Sequence, residues 1–300
     1  MAAIGVGVAL TAMAGCGMPD PTPSANAQAP NAEGLLGKAP VASADELATS
    51  PTAQAIKQRG QLLVGGELNM PLLSQQNPTT GGNEGFDAAL GKMLAKYIIG
   101  RPDAKIVNTT ADTRAALLKI NTVDVVIRIY TITPERAKEV AFAGPYLMSG
   151  QAIATLKTTN GIRKPADLNG KTVLAVSNTT SVAAIEQYAP NAKIQTYGTA
   201  PECLQALEQG QGVAYVHDLT LLAGAAALND KIEVVGDPFT TDPYGIGLKH
   251  GDESFKKFID DWLVKIESSG LWQQAWQQSL GTVVRGDPPT PPQIGSVEGS

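Results

Sequence analysis

Cysteine and histidine are nearly absent from this 300-residue chain, clustered positive charge is missing, and aromatic residues make up only 5%. Two cysteines and two histidines leave no set of residues with metal-ligand spacing, and no metal or other cofactor is expected. No basic run appears and the net charge is −5, which argues against nucleic acid as the partner. Long hydrophobic runs are missing too. The longest apolar stretch, Ala2–Gly15, is shorter than the roughly 20 residues that a bilayer-spanning helix needs. At 43% hydrophobic and 17% charged, the remainder has the balance of a globular chain, and its length suits about two domains.

The apolar start reads as the core of a signal peptide over residues 1–16. Its basic leading segment is missing, so the true start is expected upstream of Met1. Met13-Ala14-Gly15-Cys16 resembles the bacterial lipobox, with methionine in place of the usual leucine, and implies a lipid on Cys16. Residues 17–50 are rich in Pro, Ala, Ser and Asn and are expected to be a disordered tether. With Cys16 acylated, Cys203 has no disulfide partner. It falls on an amphipathic "PECLQALEQG" helix and reads as a small buried hydrophobe.

From about Pro51 to Gly281, strand and helix signals alternate, as in an α/β fold. "QLLVGGE" is a strand, "GFDAALGKMLAKYIIG" a helix with Asp87 as its candidate N-cap, "AKIVNTT" a strand, "TRAALLKI" a helix and "VDVVIRI" a buried strand. After Gly150 the alternation restarts, which predicts two lobes. "RAALLKINTVDVVIRIYT" and "ECLQALEQGQGVAYVHDLT" echo one another as helix, turn, strand and a polar strand end. Ligands of open α/β sheets bind outside such carboxyl ends, so Arg128–Arg136 and His217-Asp218 are the first candidates. "ESFKKFIDDWLVKIESSG" and "LWQQAWQQSL" are closing helices, and residues 282–300 are expected to be a disordered Pro/Gly-rich tail.

"IYTITPERAKEVAFAGPY" poses the sharpest question, because Arg136 falls in the first turn of a helix begun by Thr133-Pro134, where the dipole disfavours a cation. A ligand carboxylate there would relieve the misplacement. Alternatively, Arg136 pairs with Glu139, Thr131 fills a strand, Thr179, Thr180 and Ser181 form an ordinary N-cap, and Asp218 caps "LTLLAGAAAL". Arg128, a charge inside an apolar strand, must find a partner. Either it pairs with Glu67 or Asp124, or it receives a ligand carboxylate. His217 and Asp218 are neighbours on a strand, so their side chains are expected on opposite faces and not as an acid–base dyad.

Six motifs in order, "GFDAAL", "TRAALLKINTVDVVI", "TITPER" with "VAFAGPY", "DLNGKTVLAVSNTTS", "PYGIGLKHGD" and "SSGLWQQAW", resemble the bacterial extracellular solute-binding proteins that feed polar amino acids to ABC importers. The resemblance spans roughly residues 60–280 and is strongest to actinobacterial glutamate/glutamine-binding lipoproteins. It implies a two-lobe type II periplasmic-binding-protein fold, with lobe 1 over residues 51–151 and 246–281, lobe 2 over 152–245, and two hinge strands. It also implies that Arg136 and Thr131 hold an α-carboxylate, and that Ile129 (by its carbonyl) and Asp218 meet the α-ammonium. Thr179 and Thr180 would offer backbone N–H groups at a helix start. Glu67 and Arg128 would read the side chain of glutamate, aspartate, glutamine or asparagine, Glu67 favouring an amide and Arg128 an acid.

The implied partners are a polar amino acid, an ABC permease with its ATPase, and the outer face of the cytoplasmic membrane through the lipid. The protein is expected to be a monomer and not an enzyme. Two other functions keep the same pocket: a lipoprotein sensor signalling through a membrane partner, and an enzyme like cyclohexadienyl dehydratase.

Overall fold

The chain is described by a computed structural model over residues 1–2, 32–284 and 287–300. The expected leader beyond Ala2, Cys16 with its lipid, and the tether as far as residue 31 lie outside the described residues. No helix among the described residues is long and apolar enough to cross a membrane.

The ordered chain opens with three helices, α1 (Ala32–Lys38), α2 (Ala44–Ala48) and α3 (Pro51–Arg59). Residues 32–50 are therefore not the disordered tether that composition suggested. Ser43-Ala44-Asp45-Glu46 is a capping box: Ser43 Oγ accepts from the Glu46 N–H at 3.2 Å, and Glu46 Oε2 accepts from the Ser43 N–H at 2.7 Å. Leu35, Ala39, Ala42 and Leu47 are buried. Lys96 Nζ donates to the carbonyls of Leu36 and Gly37. Lys96→Met should therefore lower the unfolding free energy by about 1.5–3 kcal/mol, the usual range for bonds to a charged group. Urea denaturation checks this, and an unchanged midpoint would count against the packing of this segment.

The first lobe continues with β1 (Leu62–Gly66), a small antiparallel meander of β2 (Asn69–Met70), β3 (Ser74–Gln76) and β4 (Asn83–Glu84), then α4 (Phe86–Ile99) and β5 (Ala104–Asn108). It goes on through α5 (Arg114–Lys119), β6 (Val125–Val126), α6 (Pro134–Ala137) and β7 (Val140–Ser149). The chain then crosses into β8 (Gln151–Leu156), β9 (Thr172–Val176), α7 (Thr180–Tyr188), β10 (Lys193–Tyr197) and α8 (Ala200–Glu208). After β11 (Ala214–Asp218), α9 (Leu219–Leu228) and β12 (Ile232–Val235) it returns through β13 (Asp242–Lys249) to α10 (Glu253–Ser268) and α11 (Leu271–Gln277).

Two five-stranded sheets result, ordered β5-β1-β6-β13-β7 and β10-β9-β11-β8-β12. In each, three strands run parallel and a strand that enters from the other half of the chain pairs antiparallel to the third. The sequence echo is thus a topological repeat. The parallel strands β1, β9 and β11 are almost wholly buried, which is why their sequences read as apolar runs without alternation. Asp242–Tyr244 pairs with β7 of the first sheet, four residues earlier than the expected return at 246, and the register shifts at Gly245.

The two crossings touch. A Cβ at Gly150 would lie 2.1 Å from the Thr240 carbonyl oxygen, so only glycine permits the approach. Gln151, fully buried beside it, donates its N–H to Thr240 Oγ1 at 2.7 Å and accepts from the Phe239 N–H on its carbonyl at 2.9 Å.

α10 presents Phe255, Phe258, Ile259, Trp262, Leu263 and Ile266 to the core at helical spacing, and Asp252 Oδ1 caps it by accepting from the Phe255 N–H. The carboxyl end of the chain is ordered, unlike the expected tail. Gly295 N donates to Gly144 O at 2.8 Å, and Ile294 and Val297 pack on the apolar clusters. Two aliphatic anchors outweigh the Pro/Gly composition that suggested disorder.

Candidate functional site

Both sheets direct their strand ends at one narrow cleft. Its walls include Arg114, Arg128, Ile129, Thr131 and Arg136 from the first lobe, and Thr179, Thr180, His217 and Asp218 from the second. Of the eight ligand-site residues expected from sequence, seven meet here. Glu67 stands behind the wall, its Oε2 2.6 Å from Arg128 Nη2, with both side chains buried. The other partner considered for Arg128, Asp124, is taken by Arg59 and the Leu63 N–H.

Arg136 sits where the motif placed it, in the first turn of α6, whose Thr133 Oγ1 accepts from its N–H at 3.2 Å. Its guanidinium reaches into the cleft, donating to Thr131 O at 2.8 Å and across it to Asn178 O at 3.3 Å. It does not pair with Glu139, which binds Lys119. Burial works against its charge, offset by Tyr130, Asp218 and Asp242.

Arg114 is the residue that the sequence reading missed. It opens α5, is 3% exposed, and stacks 3.6 Å above the Tyr130 ring, which faces Arg136 at 5.3 Å. Its Nε has no hydrogen-bond partner, and no carboxylate among the described residues forms an ion pair with it. Burial, then the neighbouring Arg136 and Arg128, push against its charge. A guanidinium keeps its proton, so this stress calls for an anion and not for neutralisation. The signal was available: Arg114, like Arg136, is a cation in the first turn of a helix.

Asp218 ends β11 and precedes α9 without capping it by its side chain. Oδ1 accepts from the Tyr244 hydroxyl at 2.7 Å, and Oδ2 lies 3.0 Å from His217 Nδ1. The expected opposite-face placement of His217 and Asp218 therefore fails. The strand breaks at Asp218 (φ −55°, ψ 136°), so alternation ends there and the two side chains converge. Burial alone would raise the Asp218 carboxyl, but His217, Tyr244 and Gln151 hold it below the usual range.

α7 begins at Thr180, and Thr179 caps nothing, since its hydroxyl donates back to Val176 O at 2.7 Å. Thr180 and Ser181 bind the Gln151 amide, at 3.2 and 2.6 Å. The first N–H groups of α7 thus face the cleft without a side-chain cap.

Asp87 is not the N-cap of α4, a position held by Gly85. Buried, it accepts from the Ile129 N–H at 3.1 Å and the Tyr146 hydroxyl at 3.0 Å, and burial raises its carboxyl to about 7 against those bonds. It braces Ile129 at φ +37°, a region that β-branched residues seldom enter. Cys203 is fully buried, which pushes its thiol up to about 12 and suits the packing role expected.

Known proteins share this architecture. Residues 62–282 match the bacterial extracellular solute-binding proteins, family 3. The ABC transporter glutamine-binding protein GlnH of Bacillus subtilis is 34% identical over 76% of this chain and 84% of its own. The glutamate-binding protein GluB of Corynebacterium glutamicum is 28% identical over 75% of this chain and 80% of its own. Among solved structures, a cysteine-binding protein from Campylobacter jejuni superposes with a TM-score of 0.74 at 30% identity, covering 80% of this chain and 96% of that one. The two-lobe type II fold with its paired mixed sheets, and the family match along most of the ordered chain, lead to one assignment: the chain belongs to the bacterial extracellular solute-binding proteins, family 3.

Proposed function

We propose that the chain captures an acidic amino acid, L-glutamate or L-aspartate, and hands it to an ABC permease and its ATPase. One observation carries the choice of an acid. Two guanidiniums, the buried Arg114 and the half-buried Arg136, face a single cleft without a carboxylate partner among the described residues, while the third, Arg128, is neutralised by Glu67. A dicarboxylic amino acid brings two carboxylates for the two arginines and one ammonium for Asp218. An amide would leave Arg114 without its anion, at the cost of an unpaired buried charge.

In this reading Arg136, Thr131 and the N–H groups at Thr179 and Thr180 take the α-carboxylate. Asp218 and the Ile129 carbonyl take the ammonium, and Arg114 takes the distal carboxylate. The named relatives supply both alternatives, an amide for GlnH and an acid for GluB, and the charge count favours the second. Lobe closure would turn on the crossings at Gly150 and Thr240. The lipobox-like Met13-Ala14-Gly15-Cys16 supports tethering to the outer face of the membrane. Binding without turnover is the proposed role.

A thermal-shift screen of the twenty amino acids tests this, since a ligand raises the melting temperature by mass action. L-glutamate or L-aspartate should give the largest shift, ahead of L-glutamine and L-asparagine. A larger shift with either amide would overturn the assignment.

A further inference from the structure

The walls of the cleft touch across it, the Arg136 guanidinium of the first lobe donating to the Asn178 carbonyl of the second at 3.3 Å, so an amino acid enters between them only when the walls part. The lobes also meet on both flanks of the cleft. On one flank, α9 of the second lobe lies against the loop after β2 of the first. A Cβ at Gly224 would stand 2.6 Å from the Pro71 carbonyl oxygen and 3.5 Å from the Pro71 Cβ. On the other, Ser177 Oγ donates to Asp112 Oδ2 at 2.9 Å and Asn178 Nδ2 donates to Ala111 O at 3.2 Å. Asn178 sits at φ +55°, and its carbonyl is the one that Arg136 reaches across the cleft.

We propose that Gly224 is an affinity-determining position: its missing side chain lets α9 seat on Pro71, and this contact, with the Asp112–Ser177 and Ala111–Asn178 bonds opposite, sets how much of the protein is closed. The inference rests on the amino-acid-binding reading and adds the residues that regulate that site. None of Gly224, Pro71, Asp112 and Ser177 lines the cleft. Contacts made only in the closed form raise affinity by shifting population, without touching ligand. Glycine is the poorest helix former after proline, and here it interrupts the alanine-rich run "LTLLAGAAAL". Steric fit against Pro71 accounts for it where helix stability does not. The two hydrogen bonds of the opposite flank are exposed or only half-buried, so packing at Gly224 carries the larger share.

Gly224→Ala tests this by calorimetry with L-glutamate and by small-angle scattering with and without it. The expected result is a dissociation constant raised about tenfold, within the roughly 5–150-fold range of such couplings. The radius of gyration should stay above the wild-type value at saturation. The unliganded melting temperature should not fall, because alanine favours the helix. The double variant Asp112→Ala, Ser177→Ala, which adds no atoms, should weaken binding in the same direction. Wild-type affinity and wild-type compaction in Gly224→Ala would overturn the proposal. If the wild type binds no amino acid at all, the functional reading falls, and the interface is judged by unliganded scattering alone. An expanded Gly224→Ala supports it there, and identical curves overturn it.

Discussion

Replacing Arg136 by alanine is expected to raise the dissociation constant for every amino-acid ligand by about 30-fold to several thousand-fold. The range follows from the 2–5 kcal/mol cost of truncating one partner of a buried hydrogen-bonded charge pair, at 1.4 kcal/mol per tenfold. The loss should be common to all ligands, because the α-carboxylate is common to all. The unliganded fold should hardly notice. Arg136 has no carboxylate partner, its charge is opposed by burial, and its bonds are to the Thr131 and Asn178 carbonyls. Removing it relieves a stressed cation while losing those bonds, so the melting temperature should stay near that of the wild type. Arg136→Lys keeps the charge but loses the planar fork, and should fall between wild type and alanine. Calorimetry with L-glutamate, L-aspartate and L-glutamine reads all three proteins. Unaltered affinity in Arg136→Ala would remove the central role given to this residue.

The alternation of strands and helices, the two lobes and the convergence of Arg128–Arg136 with His217-Asp218 were all legible in the sequence. Each rests on local periodicity plus the rule that sites lie at strand ends. Misread features were of another kind. Composition suggested disorder for residues 32–50 and 287–300, but composition does not see where Leu35, Leu47, Ile294 and Val297 find surfaces to cover. Alternation failed for His217 and Asp218 because the strand ends at Asp218, where the backbone turns into α9. Asp87 looked like a cap because caps are local, whereas its partners, Ile129 and Tyr146, are 42 and 59 residues away.

The choice between Arg128 and Arg114 turned on pairing, which sequence cannot supply. Both are buried cations on apolar elements, and only the Glu67 contact shows that one is neutralised and the other is not.

That difference yields the second large effect. Arg114→Met should raise the dissociation constant for L-glutamate by a similar 30-fold to several thousand-fold, since it deletes the proposed partner of a buried carboxylate. It should leave L-glutamine unchanged or bind it more tightly. Methionine keeps length and an apolar contact for the Tyr130 ring while removing the cation that an amide cannot satisfy. The acid-to-amide preference should therefore collapse or reverse, a result that general damage to the cleft would not produce. Arg114→Lys retains a positive charge without the flat stacking surface, and should keep the preference for acid at lower affinity. Arg128→Met should behave differently again. It strands Glu67 without its cation, so the unliganded protein should lose stability before any selectivity changes. Equal losses for L-glutamate and L-glutamine in Arg114→Met would mean that Arg114 does not meet the ligand side chain, and the acid assignment would go with it.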